Sequence, residues 1–530
     1  MTGAEIEQCV PRMDGMTLPT SPFLPVPLLF LSASDSDLMA FMVEAYALIE
    51  GCPHLVRAVD ADLDAHARNK KALRVADAAW VAESQLSHVQ RKREPIAVEP
   101  AGLTLSQGRP RTPAIVVLLA VLLRGYLGAG FKARDATTLM VESMTLAVLF
   151  ANFGLQMPGR STLTELVNAV SNATRERILD AQVARALSLG LDDFSVMLQD
   201  STHVKGNTAW PTDSRMLVAL VERLLRVGAA LPRLGLPAMV SRKVSQHLYV
   251  MTTLDRAIDL APQSRGRARA RKRMYRKLLR RAHRVHETLS QEVARIEAAL
   301  DVLDVLPSRR AMAARAVHRQ RADVDALAIV IANCEARIID GEKVPMAEKK
   351  LSVSDPDVGF IAKGQRTPVI GYKPQLARSG GGFITGLLLP QGNAADAKQL
   401  VPMLDEVVRR TGVIPDIVSV DDGYASKANV KEVKLRGVRI VSINGAKGAA
   451  LTSTDDWESD EYALARDKRS AVESLMFTLK QGFHFGEVAR RGLIEVQGEL
   501  LEKAIAYNVC HLVRTQLAAG LARSLLKIAV

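Results

Sequence analysis

Arg469, Glu473 and Lys480 stand within the run KRSAVESLMFTLKQ. On a helix, at about 100° per residue, they fall at about 0°, 40° and 20°, so a carboxylate and two cations share one narrow face. Val472, Leu475 and Leu479 take a neighbouring face and anchor that helix to a core. A carboxylate between cations suits a place where a metal ion and a phosphodiester meet. An i,i+4 surface ion pair, worth roughly a few tenths of a kcal/mol, has the same local signature. Two more acids decide between these readings. Asp200 closes the apolar run FSVMLQD, and Asp421 and Asp422 close DIVSV. Both runs have the form of short buried strands, and open α/β sheets place their sites at the carboxyl ends of strands. Three acids, with water and phosphate oxygens, supply the oxygen ligands for two divalent cations about 4 Å apart. Such ions activate a water or a 3′-hydroxyl and stabilise the leaving oxygen, so no Ser/His/Asp or Cys/His set is required.

The elements that must position these acids follow from pattern. TPVIGYKPQLA and GFITGLLLP read as two strands joined by RSGGG, with Pro374 forcing a bulge or a strand end. A helix is expected from near Pro402 to Gly412, then the strand DIVSV, a helix to Gly437, the strand VRIVSI, a polar loop through Trp457, and the helix of Glu473. Hairpin-forming strands followed by alternating helix and strand describe a mixed sheet with helices on its faces. Between Asp200 and this region the chain is helical for over a hundred residues. Leu278, Ala282, Val285, Leu289, Val293, Ile296, Leu300 and Leu303 recur at spacings of three and four. Beyond Pro307, so do Val324, Leu327, Ile331, Cys334 and Ile338. This predicts an antiparallel helical hairpin with a heptad-like seam. Arg265–Arg284 opens it with eleven Arg or Lys and no acid, Arg271, Lys272, Arg273 and Arg276 among them. So dense a patch repels itself without a polyanion. Upstream, MPGRSTLTELVNAVSNAT predicts a helix capped by Ser161 or Thr162, the second half of a helix-turn-helix. Many small helical domains share that pattern. GYLGAG at Gly125–Gly130 matches a dinucleotide fingerprint only on paper, because no strand precedes it.

Composition bounds the rest. At 530 residues the chain exceeds a single core, and 48% apolar against 24% charged residues exclude global disorder. The net charge of +13 and a pI near 9.6 favour a polyanionic partner. Cys9, Cys52, Cys334 and Cys510 are far apart and form no CxxC pair, which argues against a disulfide framework or a zinc knuckle and fits a reducing cytosol. The longest apolar run, Ala114–Leu123, is too short to span a bilayer, and the acidic start is unlike a signal peptide, so a cytoplasmic protein is expected.

The sequence resembles the DDE transposases of bacterial insertion sequences, with their ribonuclease-H-like catalytic core. LQDSTHVKGNTAWPTDSRML is similar to the segment of the first aspartate. VDDGYAS is similar to that of the second, where the acid is followed by any residue, Gly and an aromatic; this spacing selects Asp421. RSAVESLMFTLK matches the Arg, three residues, Glu, six residues, Lys signature of the third-carboxylate helix. The family's tyrosine, three positions before the arginine, is replaced by Arg466. The resemblance implies that Asp200, Asp421 and Glu473 are catalytic and bind two Mg²⁺ or Mn²⁺ ions. Arg469, Lys480, Arg466 and Lys205 would face DNA; His203, Lys205 and Trp210, close to Asp200 in sequence, would line the site, with a core position the equal alternative for Trp210. A slip of one residue in the second strand would bring Asp422 to the ligand position instead. It further implies double-stranded DNA (inverted-repeat ends and target) as partner, a homodimer in a synaptic complex, hydrolytic nicking with strand transfer, no membrane, and a nucleoid-associated location. A degenerate or domesticated transposase that only binds DNA is the alternative, and an RNA- or ribosome-binding helical protein a second.

The expected fold is therefore an α/β ribonuclease-H-like mixed sheet flanked by helices, with an N-terminal all-α region and a large helical, coiled-coil-like insertion after the first strand. Residues 1–104 form an irregular and helical region and 105–190 a helix-turn-helix-like DNA-binding region. Residues 191–216 and 345–497 form the catalytic core, 217–344 the insertion with its basic patch, and 498–530 a C-terminal helix.

Overall fold

The structure, a computed structural model, describes residues 33–85, 98–105, 111–127, 133–210, 212–239, 241–261, 268–362 and 367–528. Most of the lead-in, part of the basic linker, the end of GYLGAG and the first two arginines of the patch lie outside these. The chain forms two compact units. One is drawn from Met1–Asp64, Gln107–Asn207 and Ile361–Val530, the other from Ala65–Ser106 and Thr208–Phe360.

The first unit is built on strands β1 (Val196–Ser201), β2 (Val204–Lys205), β3 (Val369–Tyr372), β4 (Gln375–Ser379), β5 (Ile384–Leu388), β6 (Ile417–Asp421) and β7 (Ile440–Asn444). Five of them form a mixed sheet in the order β5-β4-β1-β6-β7, compatible with a ribonuclease-H-like core. β4 pairs antiparallel with β1 and β5, while β1–β6 and β6–β7 are parallel. β1 has a strand on either side and is buried along its whole length; its first half, Val196–Leu198, is apolar accordingly, while Gln199, Asp200 and Ser201 carry polar groups into its buried carboxyl end. Pro374 proves to be a strand end. β3 stops before it and pairs with β2, and β4 begins after it in the main sheet. Thus the stretch expected as one strand serves two sheets.

Helices α1 (Ala33–Glu50), α2 (Pro53–Gln85), α3 (Ala114–Leu127), α4 (Ala133–Glu142), α5 (Met144–Asn152), α6 (Arg160–Ala169) and α7 (Asn172–Ser188) precede the sheet. α6 begins two or three residues earlier than a cap at Ser161 or Thr162 would place it. Gly159 is its N-cap and makes no side-chain cap bond, whereas Ser171 caps α7 by accepting from Thr174 N. In the second unit α8 (Asp213–Ala230), α9 (Arg242–Leu260), α10 (Ala268–Asp301) and α11 (Pro307–Cys334) share one core. α10 and α11 are the expected hairpin: Arg321 pairs with Glu297 and, farther from the turn, His283 pairs with Glu335, which only antiparallel helices allow. The predicted seam residues Leu278 to Ile296 and Val324 to Cys334 are buried, and Leu300, Leu303 and Ile338 pack against them.

The chain returns to the first unit with α12 (Leu400–Thr411), α13 (Lys427–Leu435), α14 (Ala446–Leu451), α15 (Thr454–Glu458), α16 (Asp460–Lys468), α17 (Ser470–Gly482) and α18 (Leu493–Ile528). Gly412 and Gly437 take left-handed backbone just beyond α12 and α13, ending them where expected. α12 and α13 cover one face of the sheet through Met403, Leu404, Val407 and Val433 on Met197, Val418 and Val420. α17 packs on β1 and β4.

α18 is buried on all sides from Gly498 to Val509, so its polar groups must be paired internally. Asn508 donates to Ile384 O and accepts from Ile384 N, both at 2.9 Å, and thereby blunts the edge strand β5. Glu502 accepts from Arg124 Nε and Arg175 Nε, each at 2.7 Å, with Arg490 at 3.4 Å. Burial opposes the charge on Glu502, but the guanidiniums of Arg124, Arg490 and Arg175 outweigh it and hold the carboxyl far below the usual range. This cluster ties α3 and α7 to α18. Gly125 is needed for it, since a Cβ there would meet Glu502 O at 2.0 Å. Cys52, Cys334 and Cys510 are free thiols. No helix among the described residues is long and apolar enough to cross a membrane.

Glu502→Gln should destabilise the protein by about 3–5 kcal/mol in urea unfolding, because it strands three buried arginines. A loss below about 1 kcal/mol would show that the cluster is not a stabilising centre. The folded carboxyl is held far below its unfolded value, so its contribution is fully present above about pH 4.3 and is lost progressively as pH falls from there toward the much lower folded value. The deficit of the variant should therefore shrink in acid.

Candidate active site

Parallel pairing of β1 with β6 sets the site. Leu198 stands opposite Ser419, and two residues further along each strand come Asp200 and Asp421. Alternation along the strands puts both aspartates on the face opposite Met197, Val418 and Val420. α17 lies over β1 and presents Glu473 on its first turn. Its apolar anchors are the expected ones, with Val472, Leu475 and Leu479 buried.

The three carboxylates gather around a single guanidinium. Arg469 Nη1 lies 2.7 Å from Glu473 Oε1, and its Nη2 lies 3.4 Å from Asp200 Oδ2 and 3.8 Å from Asp421 Oδ2. The aspartate oxygens can be no farther apart than those last two distances together. Arg469 occupies the junction between α16 and α17, one residue before the helix on whose face its spacing with Glu473 was expected to place it. Its side chain is 17% exposed, whereas that of Glu473 is 60% exposed. All the donors here are hard oxygens, the chemistry that Mg²⁺ or Mn²⁺ requires. Among the described residues, however, no three His, Cys, Asp or Glu side chains stand together at the spacing of a preformed metal site.

Asp422 turns elsewhere. It accepts from Lys447 N at 3.3 Å and Gly448 N at 3.0 Å, at the start of α14. Asp421 instead accepts from Gly423 N at 2.8 Å, and a Cβ on Gly423 would stand 2.9 Å from Asp421 Oδ1. Glycine therefore leaves room for the Asp421 carboxylate. Below the strand ends lies a buried polar network that the sequence reading missed. Gln375 Nε2 donates to Asp396 at 2.7 Å, Lys373 Nζ reaches the same carboxylate at 2.9 Å, and Gln199 Nε2 donates to Gln375 Oε1 at 3.2 Å. The Tyr424 hydroxyl donates to that same Gln375 oxygen. Burial, then the charges of Asp396, Asp200 and Asp421, push the Tyr424 phenol well above its ordinary pKa, so it remains a neutral donor. The aromatic of DGY and the glutamine of LQD were the available signals.

The remaining candidates are distributed as follows. Lys480 is half-buried on α17, two turns beyond Glu473. Arg466 lays its guanidinium over Trp457, 4.3 Å from the ring centroid, and 5.6 Å from that of Tyr462, a cation–π clamp. Lys205 is exposed, and its backbone bonds to Gly486 O and Val488 N fix β2 to the loop before α18. His203 is half-buried. Trp210, in the second unit, is 53% exposed and meets Phe360 edge-on, so it is not a core residue. In that unit Arg273 and Arg276 are exposed, and Arg269, Lys277, Arg280 and Arg284 share their side of α10. The six span an arc of about 100° and a length of about 22 Å. Lys272 lies at the margin of this stripe. Arg271 does not belong to it, since it faces the core side and bonds Tyr275.

Residues 335–509 match the family model described as Transposase DDE domain. Asp421, Arg469, Glu473 and Lys480 fall inside the matched stretch, and Asp200 precedes it. No curated protein and no solved structure matches the chain significantly. The chain thus carries, over residues 335–509, a transposase DDE domain.

Proposed function

We propose that this transposase nicks the ends of a bacterial insertion sequence by hydrolysis and joins the 3′-hydroxyls to target DNA. Asp200, Asp421 and Glu473 are its catalytic carboxylates. What supports this reading is the gathering of these three acids around one cation, two of them at the carboxyl ends of adjacent parallel strands. Two divalent ions, Mg²⁺ or Mn²⁺, would supply an activated water or 3′-hydroxyl and neutralise the leaving oxygen. Asp200 and Asp421 would hold them from the sheet and Glu473 from the helix. The more exposed Glu473 can adjust its rotamer, whereas the aspartates are fixed by their strands. Arg469 and Lys480 would take DNA phosphates at the same edge. Arg466, clamped on Trp457, can add charge there through the edges of its guanidinium.

Double-stranded DNA is the partner, and the exposed cations of α10 would follow its backbone. A dimer in a synaptic complex is the working unit of a reaction that joins two ends, and the cytoplasmic nucleoid its place. Asp422 belongs to the fold rather than to the chemistry.

In an Mn²⁺-dependent cleavage assay on DNA carrying the element's ends, Asp421→Asn should abolish cutting and leave DNA retention in gel shifts intact. Asp422→Ala should lose about 1 kcal/mol of stability, as a helix cap does, and still cut. Equal loss of cutting and retention in Asp421→Asn would give Asp421 a structural role. Replacing Arg273, Arg276, Arg280 and Arg284 together with Gln should reduce the slope of log K against log salt by about 3–4 without selectivity for sequence. An unchanged slope would remove α10 from the DNA path.

A further inference from the structure

We infer that Arg469 is the resident counter-cation of the three carboxylates in the metal-free protein, and that it yields this place when a divalent ion binds. The inference rests on the metal-binding reading above. One guanidinium reaches all three acids, but only Glu473 is at full hydrogen-bond distance. The contacts to Asp200 and Asp421, at 3.4 and 3.8 Å, are long for charge-assisted bonds. Arg469 Nε is buried and has no hydrogen-bond partner.

An arginine that only braces the fold looks different. The Arg410 side chain, fully buried, donates through Nε to Asp180 at 2.6 Å, through Nη2 to Glu406 at 2.7 Å and through Nη1 to Thr385 O at 2.9 Å, and also pairs with Glu176. Arg410 is held by directed bonds at every nitrogen. Arg469 is held chiefly by charge, shared among three acids and docked in two-pronged fashion on none. Three carboxylates drawn together repel one another unless a cation stands among them. A divalent ion brings twice the charge of a guanidinium to the same oxygens, and the two cations repel at such range. Metal uptake and release of Arg469 are therefore one exchange. The freed guanidinium leaves with its unused Nε donor from the very edge at which a phosphodiester would arrive.

The exchange is tested by titrating Mn²⁺ into the full chain, without DNA, and reading free ion by electron paramagnetic resonance. Arg469→Gln should bind Mn²⁺ at least about fivefold more tightly than wild type, since a competing charge a few Å away has gone, discounted for solvent screening. Asp421→Asn should lose most of the binding. Unchanged or weaker binding in Arg469→Gln, with Asp421→Asn defective, would overturn the exchange and spare the metal site. Undiminished binding in Asp421→Asn would overturn both. Should Arg469→Gln fail to fold, wild type answers alone. With ¹⁵N-labelled arginine and the signal assigned through Arg469→Lys, Mg²⁺ should shift the Arg469 guanidinium resonance; a resonance unmoved at saturating Mg²⁺ would refute the inference.

Discussion

The parallel register of β1 on β6 is the constraint from which the rest follows. Leu198 opposite Ser419 leaves Asp200 and Asp421 level with one another, on one face and at one edge of the sheet. A slip of one residue would turn one aspartate through the sheet. Burial enforces the register, because Met197, Val418 and Val420 must all face α12 and α13. The acid pair is thus held by the apolar side chains behind it. The two carboxylates repel one another, and at the acids themselves the guanidinium of Arg469 offsets that repulsion.

Around that pair the protein places its other charges by two different rules. Deep in the first unit, Glu502 and its arginines, and Arg410 with its acids, are saturated with directed bonds and serve to join helices. Arg469 is instead shared among three acids at the carboxyl ends of β1 and β6, beside a helix junction, with a side chain that is partly exposed where that of Arg410 is fully buried. The contrast follows from burial. A charge removed from water is tolerated only when fully paired, whereas one at the edge retains alternatives.

Much of this was legible in the sequence. The strand runs ending at Asp200 and Asp421, the glycines closing α12 and α13, and the seam of α10 and α11 all followed from period and punctuation, because each is a local consequence of burial. The resemblance to DDE transposases rested on short motifs, two of which lie inside the matched stretch 335–509. What was not legible was non-local. The sharing of Arg469 by three acids needs the fold, as does the capping of α14 by Asp422. Lys373, Gln375 and Asp396 were passed over because a buried polar network has no period. The patch on α10 was recognised by density, but density does not say which cations face outward. Arg271 turned to Tyr275, while Arg280 and Arg284 joined the stripe.

Anomalous diffraction from crystals of the wild-type chain grown with Mn²⁺ would test the central claim most directly. The account predicts manganese density bound at once by carboxylate oxygens of Asp200, Asp421 and Glu473. Ordered carboxylates at that edge with the manganese bound elsewhere, or with no manganese at all, would contradict it.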